Sequence, residues 1–366
     1  MLQNINRIFH FYKFHQQSSR FIMEGVMSPR DAGRYITENC QDVSIVDAGV
    51  VKLAKILFEK VKTGDFDVKM WRRHELNPQT MDEEAVNWVF LTAVLNFSFW
   101  SEKESERYEV IYKGKGYTGY WALCAAVNRA LEEGYPITQP SFYATISEDV
   151  LKKIFRSDSG YNIPLLDRRL EVLLEAGQVL MERYQGSFVN VIKEANKSAQ
   201  TLLKLVLQHF SSFRDIAEYN GKKVGFYKRA QILIGDVWGC CEGQGLGEFT
   251  DVDTITMFAD YRIPQALVYF GVVKYSESLM EELKRGKLLT SGDKQEVEIR
   301  GVSLWACELI RDEILRLIKE DEAETGVPTS LTANAILVDH YLWDIRREMA
   351  DQMVDIPFHR CRGIFY

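Results

Sequence analysis

The stretch Asp82-Glu-Glu-Ala-Val-Asn-Trp-Val-Phe-Leu-Thr-Ala-Val-Leu95 constrains the fold more than any other part of this chain. It opens on three acids, which suit the positive end of a helix, and then turns apolar nearly all round. A helix without a polar face has to be enclosed by other elements. The rest of the chain offers helices for that purpose. One opens at Thr118 and runs through Leu131 to a stop near Gly134. Others are expected over residues 147–155, 165–184, 187–210, 226–241, 276–285, 303–323 and 330–353. In the helix from Ser303, the residues Leu304, Cys307, Ile310, Ile314, Leu317 and Ile318 recur at mainly three- and four-residue steps, a core face. Strand signals are few. Tyr108–Tyr112 and Tyr117 flank Lys113-Gly-Lys-Gly116 and read as a small hairpin. The expected class is mostly α, a compact helical array around one main core with a minor β-hairpin.

At 366 residues the chain exceeds the usual single-domain size, yet no Pro/Gly/Ser-rich linker divides it and only 8 prolines occur. We therefore expect one domain over residues 27–366 and a separate extension over 1–26. That extension carries Arg7, Lys13 and Arg20 among Phe9, Phe11, Tyr12 and Phe14, with no acid before Glu24. It has the character of a transit peptide, and equally of an extension ahead of an alternative start at Met23 or Met27. The protein is expected in the cytoplasm, or in mitochondria if the extension is a targeting segment. A net charge of −7 argues against a duplex nucleic-acid binder that relies on bulk attraction. The 6 cysteines form no CxxC pair and the 6 histidines no HExxH, so neither a zinc site, a disulfide framework nor any metal cofactor is expected. No run approaches the ~18 apolar residues of a membrane span.

Four separated segments mix flat rings with charged groups: Asn96-Phe-Ser-Phe-Trp100; Phe226-Tyr-Lys-Arg-Ala-Gln-Ile-Leu233 with Asp236; Phe258-Ala-Asp-Tyr-Arg-Ile-Pro-Gln265; and Asp339-His-Tyr-Leu-Trp-Asp344 with Ile356-Pro-Phe-His-Arg-Cys-Arg362. Rings offer stacking surface and carboxylates offer acceptors, the combination that recognises a flat heterocycle. Asp260 stands two residues after Phe258. The β-branched Thr254-Ile255-Thr256 on one side and Pro264 on the other place it at a bend rather than in mid-helix. A carboxylate in so apolar a stretch is costly to bury unless it is paired or used, and a helix cap or an ion pair with Arg262 is the plainer alternative. Lys228 and Arg229 are candidates for a phosphate, although on a helix they point about 100° apart. Asp339 and Asp344 would diverge by about 140° on a regular helix, so they share one ligand only if the helix ends between them, or else one is structural. Gly243-Gln-Gly-Leu-Gly247 lacks the βαβ context of a dinucleotide loop and reads as a turn.

These segments, together with Ser291-Gly-Asp-Lys-Gln-Glu-Val-Glu-Ile-Arg-Gly301, resemble the queuosine salvage family of queuosine 5′-phosphate N-glycosidases. The resemblance runs from about Ser28 to Tyr366 and leaves out only the extension. It implies an all-helical fold akin to DNA glycosylases, without their basic surface. It implies hydrolysis of the N-glycosidic bond of queuosine 5′-monophosphate to queuine and ribose 5-phosphate, the queuine returning to transfer RNA through a separate transglycosylase. By the same resemblance Asp260 is the catalytic aspartate and Phe258 the ring that stacks on the base. Asp339, Trp343 and Asp344 match base-pocket positions, Lys228 an active-site lysine, and Thr118 a position beside the base. The partners implied are the small-molecule substrate and its product, with no stable nucleic-acid complex, no membrane and no cofactor. Two rivals remain at this level: a non-enzymatic queuine- or tRNA-binding protein, and a glycosylase for another modified nucleotide. Hydrolysis of the free mononucleotide separates the first from an enzyme. The basic stripe and helix-hairpin-helix glycine signature of a DNA-lesion glycosylase are missing from the sequence.

Overall fold

The computed structural model describes residues 24–327 and 331–366, so the targeting reading of residues 1–26 lies outside the described residues except for the last three. Helices α1 (Pro29–Asn39), α2 (Asp47–Thr63), α3 (Glu83–Val94), α4 (Tyr120–Glu132), α5 (Pro140–Tyr143), α6 (Glu148–Ile154) and α7 (Leu166–Arg183) form the first half. Helices α8 (Phe188–Ala195), α9 (Ala199–His209), α10 (Lys228–Cys240), α11 (Ile263–Tyr269), α12 (Glu277–Lys284), α13 (Lys294–Thr325) and α14 (Ala335–Glu348) follow. The strands are short: β1 (Val26–Met27), β2 (Val43–Ile45), β3 (Glu109–Tyr112), β4 (Lys115–Thr118), β5 (Ile216–Tyr219), β6 (Lys222–Gly225), β7 (Val273–Tyr275), β8 (Leu288–Leu289) and β9 (Arg360–Cys361). β5 and β6 form a hairpin to which β1 adds in parallel; β3–β4 is the expected hairpin; β2–β7 pair antiparallel and β8–β9 parallel. The fold is mostly α, with one three-stranded sheet and three strand pairs among the described residues.

The helix that is apolar all round is enclosed as its sequence requires. Asp82 caps α3 by accepting the Ala85 N–H at 2.9 Å, and Val86 and Trp88 through Val94 are buried. The one main core expected from the sequence is divided: α3 packs on α7, α8 and α10 in one hydrophobic core, while α13 packs on α1 and α2 in a second. Trp343 of α14 and Trp238 of α10 pack against both cores.

Four expected helices differ in extent. The one expected to open at Thr118 begins at Tyr120, because Thr118 pairs with Glu109 as the end of β4 and Gly119, at φ 64°, makes the break between strand and helix. The stretch 187–210 divides into α8 and α9, because Asn196 and Lys197 adopt φ of 47° and 61° and Ser198 caps the second helix by accepting the Thr201 N–H. Asn tolerates the left-handed region and Ser satisfies a helix start, so a local Asn-Lys-Ser overrides the apolar period. α13 begins nine residues before Ser303, at Lys294. Its first turns bury Glu296, Glu298 and Arg300, which interrupt the apolar stripe by which a helix is read. α14, expected over 330–353, begins at Ala335, where Asn334 caps it by accepting the Leu337 N–H, stops at Glu348 and continues as a 3₁₀ turn, Ala350–Met353.

Those buried charges of α13 position the site. The Arg300 guanidinium pairs with Asp215 through both terminal nitrogens, reaches Glu296 at 3.3 Å, and donates from Nε to Ala259 O at 3.0 Å. Asp215 Oδ2 also accepts the Lys228 backbone N–H at 3.2 Å. Tyr366, the last residue, donates its hydroxyl to Glu296. One ion cluster thus ties the start of α10 and the residue before Asp260 to the same helix.

Candidate active site

α10, α14 and the irregular segment 255–262 enclose a cavity of about 780 Å³, to which α4, the end of β4 and the residues after α3 contribute. On α10 the residues Lys228, Ile232 and Asp236 stand four apart and line it together. The same helix carries Gly235, where a Cβ would come within 2.7 Å of Phe258 Cζ. The glycine therefore lets the Phe258 ring lie against the helix. Phe258 also meets His340 of α14, ring centroids 5.8 Å apart.

Asp260 stands at the bend the sequence suggests. Its Oδ1 accepts the backbone N–H groups of Arg262 and Ile263, each at 2.8 Å, where α11 begins. The structural alternative, a helix cap, is thus half fulfilled: one oxygen is held by two amides. No hydrogen bond to Oδ2 occurs among the described residues, and the residue lines the cavity. Asp260 makes no ion pair with Arg262, whose guanidinium donates to Gln265 instead.

Lys228 is buried in the cavity wall and donates from Nζ to Asn96 O at 3.2 Å. Burial lowers its pKa to about 8, and the charge of Asp260 is the largest influence in the other direction. Arg229 is placed elsewhere. Its guanidinium donates to Val94 O and Ser212 O and lies 4.7 Å from the Phe213 ring centroid, outside the cavity lining. As consecutive residues of a helix, the two point different ways, and only Lys228 faces the cavity. Arg229 instead binds a carbonyl at the end of α3.

Asp339 and Asp344 both line the cavity although α14 runs unbroken through them. The condition that the helix end between them is therefore not needed: the cavity wraps around α14, so one hollow meets two of its faces. At the first face, Asp339 Oδ2 accepts the Phe258 N–H at 2.8 Å. Burial, and then the neighbouring Asp260, push the Asp339 carboxyl well above the ordinary carboxylate range. At the second face Asp344 is more exposed, and its partial removal from water raises it to about 6, Glu348 adding to the effect. Asp236 is raised to about 7 by burial, against the hydrogen bond it accepts from Trp71 Nε1 at 2.8 Å.

The Asp344 end is aromatic. Trp343 packs edge-on to Trp121 at 5.5 Å, and His74 stacks on the other ring at 3.3 Å with planes 3° apart. Thr118, the last residue of β4, also lines the cavity. Trp71, His74, Tyr120, Trp121, Arg346 and Arg347 line it without having been singled out from the sequence. For the first two a signal existed, because Met70-Trp-Arg-Arg-His74 mixes rings and charges as the chosen segments do. Among the described residues, no group of three or more His, Cys, Asp or Glu side chains stands close enough to share a metal ion. None of the described helices is long and apolar enough to cross a membrane.

Comparison with known proteins agrees with the sequence resemblance. Residues 76–366 match the family profile described as queuosine salvage protein. A Bos taurus protein named queuosine 5′-phosphate N-glycosylase/hydrolase is 50% identical over 346 residues, covering 94% of this chain and 100% of that protein. A Schizosaccharomyces pombe protein of the same name is 39% identical over 352 residues, 91% of this chain and 97% of its own length. A Sphaerobacter thermophilus protein, again so named, is 37% identical over 333 residues, 91% of this chain and 96% of its own. With a family match over residues 76–366 and relatives alike over nearly their whole length, this chain belongs to the queuosine salvage protein family.

Proposed function

We propose that this protein hydrolyses the N-glycosidic bond of queuosine 5′-phosphate and releases queuine. The observation that carries the reading is the pairing of Asp260 and Phe258 in one cavity. One carboxylate oxygen is locked by two amides, the other is without a hydrogen bond among the described residues, and a ring seated on Gly235 lies two residues away. Relatives from an animal, a yeast and a bacterium bear names for this activity.

The chemistry follows from the leaving group. Breaking the ribosyl C–N bond builds positive charge on C1′ and the ring oxygen. A carboxylate that is fixed before the reaction stabilises that charge without reorganising, and it does so whether it captures C1′ or lets water attack. Asp260 takes this part. A 7-deazaguanine has no N7 to protonate, so contacts at other edges of the base must help it depart. Asp339 is suited to that work: burial and the neighbouring Asp260 push its carboxyl well above the ordinary carboxylate range, which favours the form that offers an O–H, while Oδ2 is oriented by the Phe258 amide. Two neighbouring carboxyl groups in different environments thereby divide the roles of charge stabiliser and hydrogen-bond donor. Lys228 sets a positive charge beside Asp260. Phe258 stacks on the base, and the His74–Trp121–Trp343 end receives its cyclopentenediol arm. Asp344, ionised at neutral pH, pairs with the secondary amine of that arm.

The test is to incubate the purified protein with queuosine 5′-phosphate, queuosine and guanosine 5′-phosphate and to measure free base by mass spectrometry. We expect queuine from the first, less from the second, and no guanine from the third. Absence of base release from all three would overturn the reading.

A further inference from the structure

Two arginines at the Asp260 end of the cavity share one neutral acceptor. Arg262 Nη1 donates to Gln265 Oε1 at 3.2 Å, and Arg346 Nε donates to the same oxygen at 2.9 Å. The buried Gln265 amide is held in that orientation, since its Nε2 donates to Met353 O at 3.1 Å and to Ile356 O at 2.6 Å. The Arg262 guanidinium is further held beside two rings, 4.2 Å from the Phe358 centroid and 5.1 Å from that of Tyr261. Both arginines line the cavity. Neither forms an ion pair with a carboxylate among the described residues, in contrast to Arg300 with its two acids.

A pair of guanidinium groups anchored side by side on a neutral amide repels itself, and half-buried cations without an ion-pair partner are costly. Burial lowers the Arg346 pKa to about 10, and Arg262 is the first of the charges that lower it further. Such an arrangement is stabilised by an anion, and paired planar forks match the oxygens of a phosphomonoester. Position agrees with this. Two residues span at most about 7 Å of chain, so a ribose set with C1′ on Asp260 carries its 5′ group within reach of Arg262.

We propose that Arg262 and Arg346, held together by Gln265, are the receptor for the substrate's 5′-phosphate, and that Lys228 serves the reacting end of the cavity instead. The proposal rests on the function argued above and names the groups that make the monophosphate preferred over the nucleoside. It also removes the phosphate role from both residues that the sequence had suggested: Arg229 lies outside the cavity, and Lys228 is engaged at Asn96 O next to Asp260.

The experiment compares the parent with Arg346→Gln, Arg262→Gln and the charge-keeping Arg346→Lys. It measures kcat/KM on queuosine 5′-phosphate and on queuosine, inhibition by inorganic phosphate, and thermal melting as a control for folding. Loss of a charge-assisted contact costs roughly 1.5–3 kcal/mol, so the preference for the phosphorylated substrate should shrink by about 10- to 100-fold in either Gln variant. Turnover of the nucleoside should fall far less, inhibition by inorganic phosphate should weaken in parallel, and Arg346→Lys should lie between. An equal fractional loss on both substrates in a folded variant would overturn the proposal, as would unchanged inhibition by phosphate. If the parent cleaves neither substrate, the functional reading fails, and calorimetry with inorganic phosphate still decides the receptor. Binding by the parent that is lost in Arg346→Gln supports it; no binding by the parent rejects it.

Discussion

Two regions of this protein bury charge, and they treat it differently. Behind the cavity, Arg300 meets Asp215 and Glu296, and Tyr366 and the Ala259 carbonyl complete the cluster. Inside the cavity, Asp339 has the Phe258 amide, Asp236 has the Trp71 indole, and neither has a cation within ion-pair distance except His340, 3.9 Å from Asp236. Burial lowers His340 to about 4, so that imidazole is neutral. Removal from water is costly in both places. In the first the fold supplies the compensation, and in the second it does not. Charge that the fold satisfies holds elements together, whereas charge that it leaves unsatisfied is available to a ligand.

Mutations should separate the two regions by readout. The largest effect is expected behind the cavity. Asp215→Ala strips the bidentate partner from a buried arginine, which typically costs 3–5 kcal/mol or about that much. Urea unfolding should show the loss, and a change below about 1 kcal/mol would mean that Glu296 suffices and the cluster is not what joins α10 to α13. Inside the cavity the readout reverses. Asp260→Asn should lower kcat by ~10²-fold or more while leaving the folded state within about 1 kcal/mol of the parent, because it removes one stabiliser of the transition state. A folded variant that turns over normally would take Asp260 out of the mechanism.

Phe258→Ala tests stacking, with a weakening of queuine binding by ~1–3 kcal/mol in calorimetry. Unchanged affinity would return this ring to the hydrophobic core alone. The smallest expected effect is in pH dependence. Asp344 must be an anion to hold the amine, so kcat/KM should fall as pH drops through about 6. Lys228 must be a cation beside Asp260, so it should fall again as pH rises through about 8. Asp344→Asn should abolish the acid limb and keep the alkaline one. An acid limb that persists in that variant would assign it to another group.

The comparison also explains what could be read in advance. α3 was legible because its acids and its unbroken apolar run follow from local chemistry, and so was the β3–β4 hairpin, set by Lys113-Gly-Lys-Gly116. α1 and α2 drew no reading. Both carry a helical period, α1 in Pro29, Ala32, Gly33 and Ile36 and α2 in Val50, Leu53, Ala54, Leu57 and Val61; in α1 the face is made of small, weakly apolar residues with Ile36 alone as a large one. The first turns of α13 were missed because their buried charges read as surface. Those polar residues are inside because distant partners meet them: Asp215 meets Arg300, Tyr219 and the Asp42 amide meet Glu298, and Tyr366 meets Glu296.

By itself the sequence determined a mostly helical chain, the segments rich in rings and charges, and Asp260 at a bend two residues beyond a ring. These are consequences of neighbouring residues and helical period, which act over a few positions. Tertiary structure decided which of those charges share a space. It sent Lys228 into the cavity and Arg229 into the end of α3, let one cavity wrap two faces of α14 so that Asp339 and Asp344 both line it, and brought Arg346 to the same glutamine oxygen as Arg262. Spacing along a helix sets the angle between two side chains, but what each one meets depends on elements that pack against it from distant parts of the chain.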